Sequence, residues 1–513
     1  MGQKMPVWDQ GYFAQNGYAY GFYPETMPTH IQWACALQSH QTKLSKFRYL
    51  DAGCGQGLNL ILAAACHPDS EFVGIDFLPD HIAHARSLAE RAGLKNISFI
   101  EGDFIELSKN PDRLGEFDYV ICHGISTWVS PLVRESLFRL VGQVLAPGGV
   151  FYNSYNTQPG WLTMMPFQNL VKLHLKDQAP RRALARSKSF FEDLIKAMPG
   201  AIQFFPDLRV RLSSLDKQDL AYLFQEYNHE HWQPMFVSDM IQCMEGVKLS
   251  YLGTATLAEI DDTFFPASMK ALFIDEESTL KKEQLKDYTT NKSFRRDVYV
   301  KGHNTPWKLQ SEGLLGDFSV IYNPLKPLPS SGEDFRFSSG ALNFDGNREF
   351  YLNLIAMASR HPNGIQLKEL VASQSVKERR DHVIPAVNLL IGSGYFNLLN
   401  RSQIDPAGGQ RLNKILAKDA INGAPYNFAC LPTCGGAIMM QDIDWIIFAS
   451  DQGVAQNRKL HEHIFERLTL LGRAVARDGV PVLEIVQASP IIISRINAFE
   501  ENKRPFLQIG GAI

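Results

Sequence analysis

The sequence predicts an α/β protein: a parallel sheet with helices on both faces, then a helical insert, two returning strands and a mixed C-terminal unit. Three observations carry this. Short apolar runs alternate with amphipathic stretches from 47 to 155, and a glycine-rich turn follows the first of those runs. The balance of 45% hydrophobic against 20% charged residues over 513 positions suits a chain that buries several cores, with a length prior of about three domains at roughly 150 residues each.

The strand candidates are 47–53 (FRYLDAG), 71–76 (EFVGID), 97–103 (ISFIEGD), 117–123 (FDYVICH) and 148–155 (GGVFYNSY). Right-handed crossovers between parallel strands bring every strand's C-terminal end to one edge, which collects Asp51, Asp76, Asp103 and His123. After Pro159 the pattern turns helical to about 245, including 189–198 and 219–232, and reads as an insert. Strand character returns at 247–255 and 293–302, expected to complete the same sheet. The Pro-, Ser- and Gly-rich stretch after 303 reads as a linker. The boundaries that follow are 1–160, the helical insert 161–245, the last strands 246–303, the linker 304–340 and a separate C-terminal domain 341–513. That domain begins with helices and a closing apolar pair in the manner of a winged helix.

Composition narrows the function. With 51 Lys+Arg against 54 Asp+Glu the formal charge is −3, so the chain has no basic excess of the kind that drives nucleic-acid binding, and none is expected. Seven scattered cysteines read as reduced thiols, and the Cys430/Cys434 pair lacks the second ligand pair of a zinc site. His229, Glu230 and His231 are adjacent on a helical stretch and diverge, so no metal is expected there either. The start shows no apolar core of signal-peptide length, and no stretch approaches the roughly 20 apolar residues of a membrane span; the expectation is a cytoplasmic protein.

The turn Asp51-Ala52-Gly53-Cys54-Gly55-Gln56-Gly57 differs from a dinucleotide fingerprint, which starting at Gly53 needs Gly or Ala where Leu58 stands. Glycines at 53, 55 and 57 still let backbone approach a ligand closely. An acid directly ahead of them, Asp51, repels a pyrophosphate and attracts an ammonium group. Asp76, ending the next strand, is placed to accept from a ribose diol, and Asp103, ending the third, from an adenine amino group. Phe77 and Phe104 directly follow these two acids and are counted with them as cofactor-binding candidates.

These acids, the glycine turn and the LAPGGV run at 145–150 resemble the class I S-adenosylmethionine-dependent methyltransferases. The segments GFYPETMP (21–28), CHGISTWVSPLVRESL (122–137), NSYNTQPGW (153–161), YLFQEYNHEHWQP (222–234), LSYLGTA (249–255) and FRRDVYV (294–300) resemble the group of these enzymes that carries a methyltransferase regulatory domain, which includes bacterial protein lysine methyltransferases. The resemblance implies a Rossmann-like domain binding S-adenosyl-L-methionine, a helical dimerisation element giving a homodimer, and a protein as the acceptor. A small-molecule, lipid or glycan acceptor stays open as the alternative, as does a non-catalytic binding protein.

His123, Tyr155 and Asn156 follow the fourth and fifth strands and are expected at the methyl end, with Trp128 and Tyr23 as aromatic walls facing a cation. Glu25 lies in an N-terminal segment that resembles a lid and, with Tyr23 and His123, is expected to contact the cofactor. The plainer alternatives are a helix cap for His123, core packing for Trp128, turn-shaping for Tyr155 and Asn156, and a surface position for Glu25.

Overall fold

In the computed structural model the residues described are 20–203, 212–213, 231–305, 313–340, 342–401, 405–450 and 459–513. Most of the helix expected at 219–232, with Tyr222, Phe224, His229 and Glu230, lies outside them. Seven strands form one sheet in the order β3-β2-β1-β4-β5-β7-β6: β1 (Arg48–Ala52), β2 (Glu71–Asp76), β3 (Ile97–Glu101), β4 (Phe117–His123), β5 (Leu145–Asn156), β6 (Ser250–Thr254) and β7 (Phe294–Val300). The first five run parallel and β7 inserts antiparallel between β5 and β6. The two late strands therefore join the sheet from beyond the helical insert.

The helices that connect the parallel strands explain the burial. The helix α1 (Pro28–Leu37) precedes β1, and α2 (Leu58–Cys66) follows it. Every residue of α2 is buried, as its sequence LNLILAAAC demands, since a helix apolar all round needs cover on every side. The sheet covers one face. The other is covered by the C-terminal unit: Leu412, Leu416, Cys430, Leu431, Trp445 and Leu507 share one core with α2. The C-terminal domain expected as separate is thus continuous with the first, and the reason is this all-apolar helix. The remaining connectors are α3 (Pro79–Arg91), α4 (Phe104–Leu107) and α5 (Pro131–Val144).

The linker expected at 304–340 contains strands. Ser319–Tyr322 is the central strand of a three-stranded antiparallel sheet with Ile365–Gln366 and Phe396–Leu398, and Phe335–Ser339 pairs with Leu342–Gly346. The Pro and Gly residues mark turns, but Phe318, Val320, Phe335 and Phe337 alternate inward and bury a second core with the helices Arg348–Ser359 and Val383–Gly392. This winged arrangement docks on α1 through Trp33 Nε1, which donates to Asn388 Oδ1 at 3.0 Å. Among the described residues no helix is long and apolar enough to cross a membrane.

Candidate active site

The turn after β1 is held from both sides. Gly53 and Cys54 N–H donate to the Ile75 carbonyl at 2.8 and 2.9 Å, and Gly55 N–H donates to Asp76 Oδ2 at 2.9 Å. Gly53, Gly55 and Gly57 have φ of 95°, 53° and 78°, the left-handed region in which a side chain is strained. A Cβ on Gly53 would stand 2.6 Å from Ile125, and one on Gly57 2.5 Å from Ala85. Asp76 also accepts from Leu78 N–H at 2.9 Å and faces His81 Nδ1 at 3.3 Å. It clamps the turn before it meets any ligand.

Asp51 is buried, 5% exposed, and accepts no hydrogen bond from the described residues. Burial first, and then the charge of Asp76, push its carboxyl up to about 7. A buried acid with no hydrogen-bond partner among the described residues, beside a turn whose glycines at 53, 55 and 57 carry no side chains, fits the ammonium group of S-adenosylmethionine. Asp103 accepts from Ile105 N–H at 2.8 Å and so caps α4, while Phe104 is buried against the core beneath α5. Phe77 stands half-buried directly after Asp76.

The far end of the edge gathers residues from four parts of the chain. His123 pairs in register with Ser154, and Ser154 with Arg296. The Tyr23 ring lies 4.0 Å from the His123 ring, and Arg296 Nε is 3.2 Å from Glu25 Oε1. The hydroxyls of Ser154 and Tyr152 stand 3.0 and 3.2 Å from His123 Nδ1 and occupy it. Burial drives the His123 pKa down to about 4, against the pull of Glu25 and with the push of Arg296, so the ring is neutral near pH 7. Burial alone would raise Glu25, but Arg296, His30 and His123 outweigh it and hold the carboxyl below its ordinary value. Beside them, Gly124 has φ of 67° with nothing within 4 Å of a Cβ built on it.

Two expectations fail here. Tyr155 points to the other face of β5, where its hydroxyl donates to Asp297 Oδ2 at 2.6 Å and its ring is fully buried. Strand residues alternate sides, so Tyr155 shares a face with Phe151 and opposes Ser154. Trp128 packs with Trp232 at 6.0 Å in the core of the helical insert, rather than as a wall of the site. Glu25, expected as a ligand contact with a surface position as the plainer alternative, is ion-paired to Arg296 beside His123. Asn156 lies on His123's face, 5% exposed, with its Nδ2 buried and no hydrogen-bond partner among the described residues. Sequence reasoning missed Arg296, His30, Tyr152 and Ser154; the parity of Tyr152 and Ser154 on β5 was the available signal. No cluster able to hold a metal ion occurs among the described residues.

A parallel sheet with a reversed penultimate strand in spatial order, a clamped glycine turn preceded by a buried acid, and acids at successive strand ends define a class I S-adenosylmethionine-dependent methyltransferase. A family model for a methyltransferase domain matches residues 43–238, and one described as a predicted methyltransferase regulatory domain matches 219–301. The uncharacterized protein sll1526 of Synechocystis sp. is 32% identical over 410 residues, 74% of this chain and 81% of that one. The uncharacterized protein RP789 of Rickettsia prowazekii is 23% identical over 413 residues, 74% of this chain and 72% of its own. The structure of PKMT2 from Rickettsia typhi in complex with AdoHcy matches with a TM-score of 0.68 at 19% identity, covering 94% of this chain and 98% of that chain. The chain belongs to the family of S-adenosylmethionine-dependent methyltransferases that carry a methyltransferase regulatory domain.

Proposed function

We propose that this enzyme methylates lysine side chains of a protein substrate. One observation carries the reading: an ionised carboxylate, Glu25, and the Tyr23 ring stand beside a neutral imidazole, His123, an arrangement suited to receiving an amine. A carboxylate attracts the ammonium of an incoming lysine, and the aromatic face adds roughly 0.5 to 2 kcal/mol for a cation. The fold likeness to PKMT2, a protein lysine methyltransferase, supports the same acceptor class.

When bound, S-adenosylmethionine supplies a methyl group on a sulfonium, activated for in-line displacement. Asp51, the turn 53–57 and Asp76 hold the cofactor's amino acid and ribose parts in this reading, with Phe77, Asp103 and Phe104 along the adenine side. The chain's remaining task is to present the acceptor nitrogen, aligned and deprotonated, at near-attack distance, which accounts for about 7 to 11 kcal/mol of barrier in well-oriented systems. Neither His123 near pKa 4 nor the depressed Glu25 is basic enough to take a proton from an ammonium. The proton leaves to water instead, and the Arg296 guanidinium, 3.2 Å from Glu25, favours the neutral amine.

The same reading makes the enzyme a cytoplasmic homodimer that pairs through the helical insert, where Leu162, Met165, Leu173, Phe190 and Met198 are exposed apolar side chains. The test of the acceptor is mass spectrometry of lysate proteins, lipids, glycans and metabolites after labelled methyl transfer. Methyl increments on lysine support it; increments only on lipid, glycan or small molecules overturn it. Turnover should rise with pH through the neutral range.

A further inference from the structure

We infer that His84 and Tyr426 form a relay through which the C-terminal unit and the N-terminal segment fix the cofactor turn. His84 lies on α3, and its Nδ1 is 2.7 Å from the Gln56 carbonyl inside the glycine turn. The N–H of that same peptide, on Gly57, donates to the Cys54 carbonyl at 3.0 Å, so the peptide plane is pinned at both ends. A carbonyl only accepts, so His84 Nδ1 carries the proton. Burial holds the ring's pKa below its ordinary value, which leaves it neutral and makes Nε2 an acceptor alone.

The partner of Nε2 is the Tyr426 hydroxyl at 2.7 Å, which must therefore be the donor. Tyr426 lies two residues before the strand Phe428–Leu431 of the C-terminal unit, and Arg91 of α3, which pairs with Asp419 of the C-terminal helix Ala407–Ala420 at 2.8 Å, acts on the Tyr426 hydroxyl by its charge. Tyr20, three residues ahead of Tyr23, packs edge-on against both rings, at 5.0 Å from His84 and 5.4 Å from Tyr426. A polar chain with every proton direction determined thus runs from Tyr426 through His84 to the backbone of the turn, with the Arg91–Asp419 ion pair beside its C-terminal end. The charged and titratable groups facing His84 are Arg91, His81, Asp419, Tyr426 and Tyr20. His84 and Tyr426 are positioning residues: they reach the cofactor only through Gln56. The inference does not depend on which acceptor the enzyme uses.

Tyr426→Phe removes one hydroxyl and keeps the ring packing. S-adenosylhomocysteine and S-adenosylmethionine affinities, measured by calorimetry on the full chain, should weaken about 3- to 10-fold, the range of one hydrogen bond. Without any ligand, hydrogen exchange in the 51–58 peptide should accelerate while the peptides of β4 and β5 stay unchanged. His84→Ala should weaken binding at least as much, and adding Tyr426→Phe to it should change nothing further, since the hydroxyl then has no partner to reach. Should His84→Ala fail to fold, the affinity and exchange of Tyr426→Phe decide alone. Unchanged affinity with a lowered melting temperature, exchange that rises uniformly over the sheet, or additive effects in the double variant would each overturn the relay.

Discussion

Asp51 makes cofactor binding depend on pH in a way that can be worked out beforehand. Its carboxyl sits at about 7 because it is buried and lies near Asp76, so at neutral pH about half of the free enzyme carries the proton. An ammonium group docked beside it favours the ionised form and returns its pKa toward the ordinary value near 4. Below pH 7, binding must then expel a proton. Affinity should fall with a slope approaching tenfold per pH unit, roughly fiftyfold between pH 7 and pH 5. Above about pH 8 the α-amino group of S-adenosylmethionine loses its own proton, so the profile should turn over. Calorimetry across pH 5 to 9, repeated in two buffers of different ionisation enthalpy, measures both the affinity and the proton released. Asp51→Asn should abolish the acid limb. A flat profile from pH 5 to 7, or an acid limb that survives in Asp51→Asn, would refute the placement of the ammonium. In the unliganded protein the sign is opposite: a raised folded pKa stabilises most below about pH 4, and that contribution is lost as pH rises through 7.

Further outcomes follow from the same geometry. Gly57→Ala combines a φ of 78° with a Cβ 2.5 Å from Ala85, and should cost about 2 to 5 kcal/mol in a thermal or denaturant melt as well as cofactor binding. Tyr155→Phe should lower stability by about 1 to 3 kcal/mol, because Asp297 loses a buried donor at 2.6 Å, while turnover at saturating substrates stays near that of the parent; a large fall in turnover with an unchanged melt would restore Tyr155 to the site. Arg295→Met leaves Glu283, Asp287 and Asp297 buried without the cation now 2.6 to 2.8 Å away, and should destabilise by about 3 to 5 kcal/mol at pH 8. The deficit should shrink toward pH 5, since Asp287 at about 7 takes a proton there; a deficit independent of pH would count against the cluster. Light scattering at micromolar concentration should give a dimer, and exposed Phe190→Glu a monomer.

The cofactor half of the site could be read in the sequence because it is local. Strand, acid and glycine turn are contiguous, and each acid ends its own strand, so Asp51, Asp76 and Asp103 fall on one edge without any tertiary information. The acceptor half is not contiguous: Glu25, His123, Ser154 and Arg296 meet only through the register of β4, β5 and β7. Tyr155 was misplaced by one residue of strand parity, a slip that moves a side chain through the sheet. Trp128 went to the insert because tryptophan area is worth most where other rings can cover it, and Trp232 comes from a distant stretch. The strand at Ser319–Tyr322 was hidden by flanking Pro and Gly, whose turn signal outweighed four residues of apolar pattern.

The helix after the cofactor turn also sets a schedule for synthesis. Cys430 Sγ reaches the Leu62 carbonyl across 368 positions of chain, and Asn400 Nδ2 reaches the Cys66 carbonyl across 334. At about 5 to 20 residues per second, translation leaves α2 waiting roughly 20 to 70 seconds for the residues that cover its outer face. During that interval the nascent sheet carries an apolar helix with one side bare, a surface suited to a holding chaperone. Ribosomes stalled short of residue 400 should therefore display a cofactor domain that is protease-sensitive at α2, and protection should arrive abruptly once the later segments emerge.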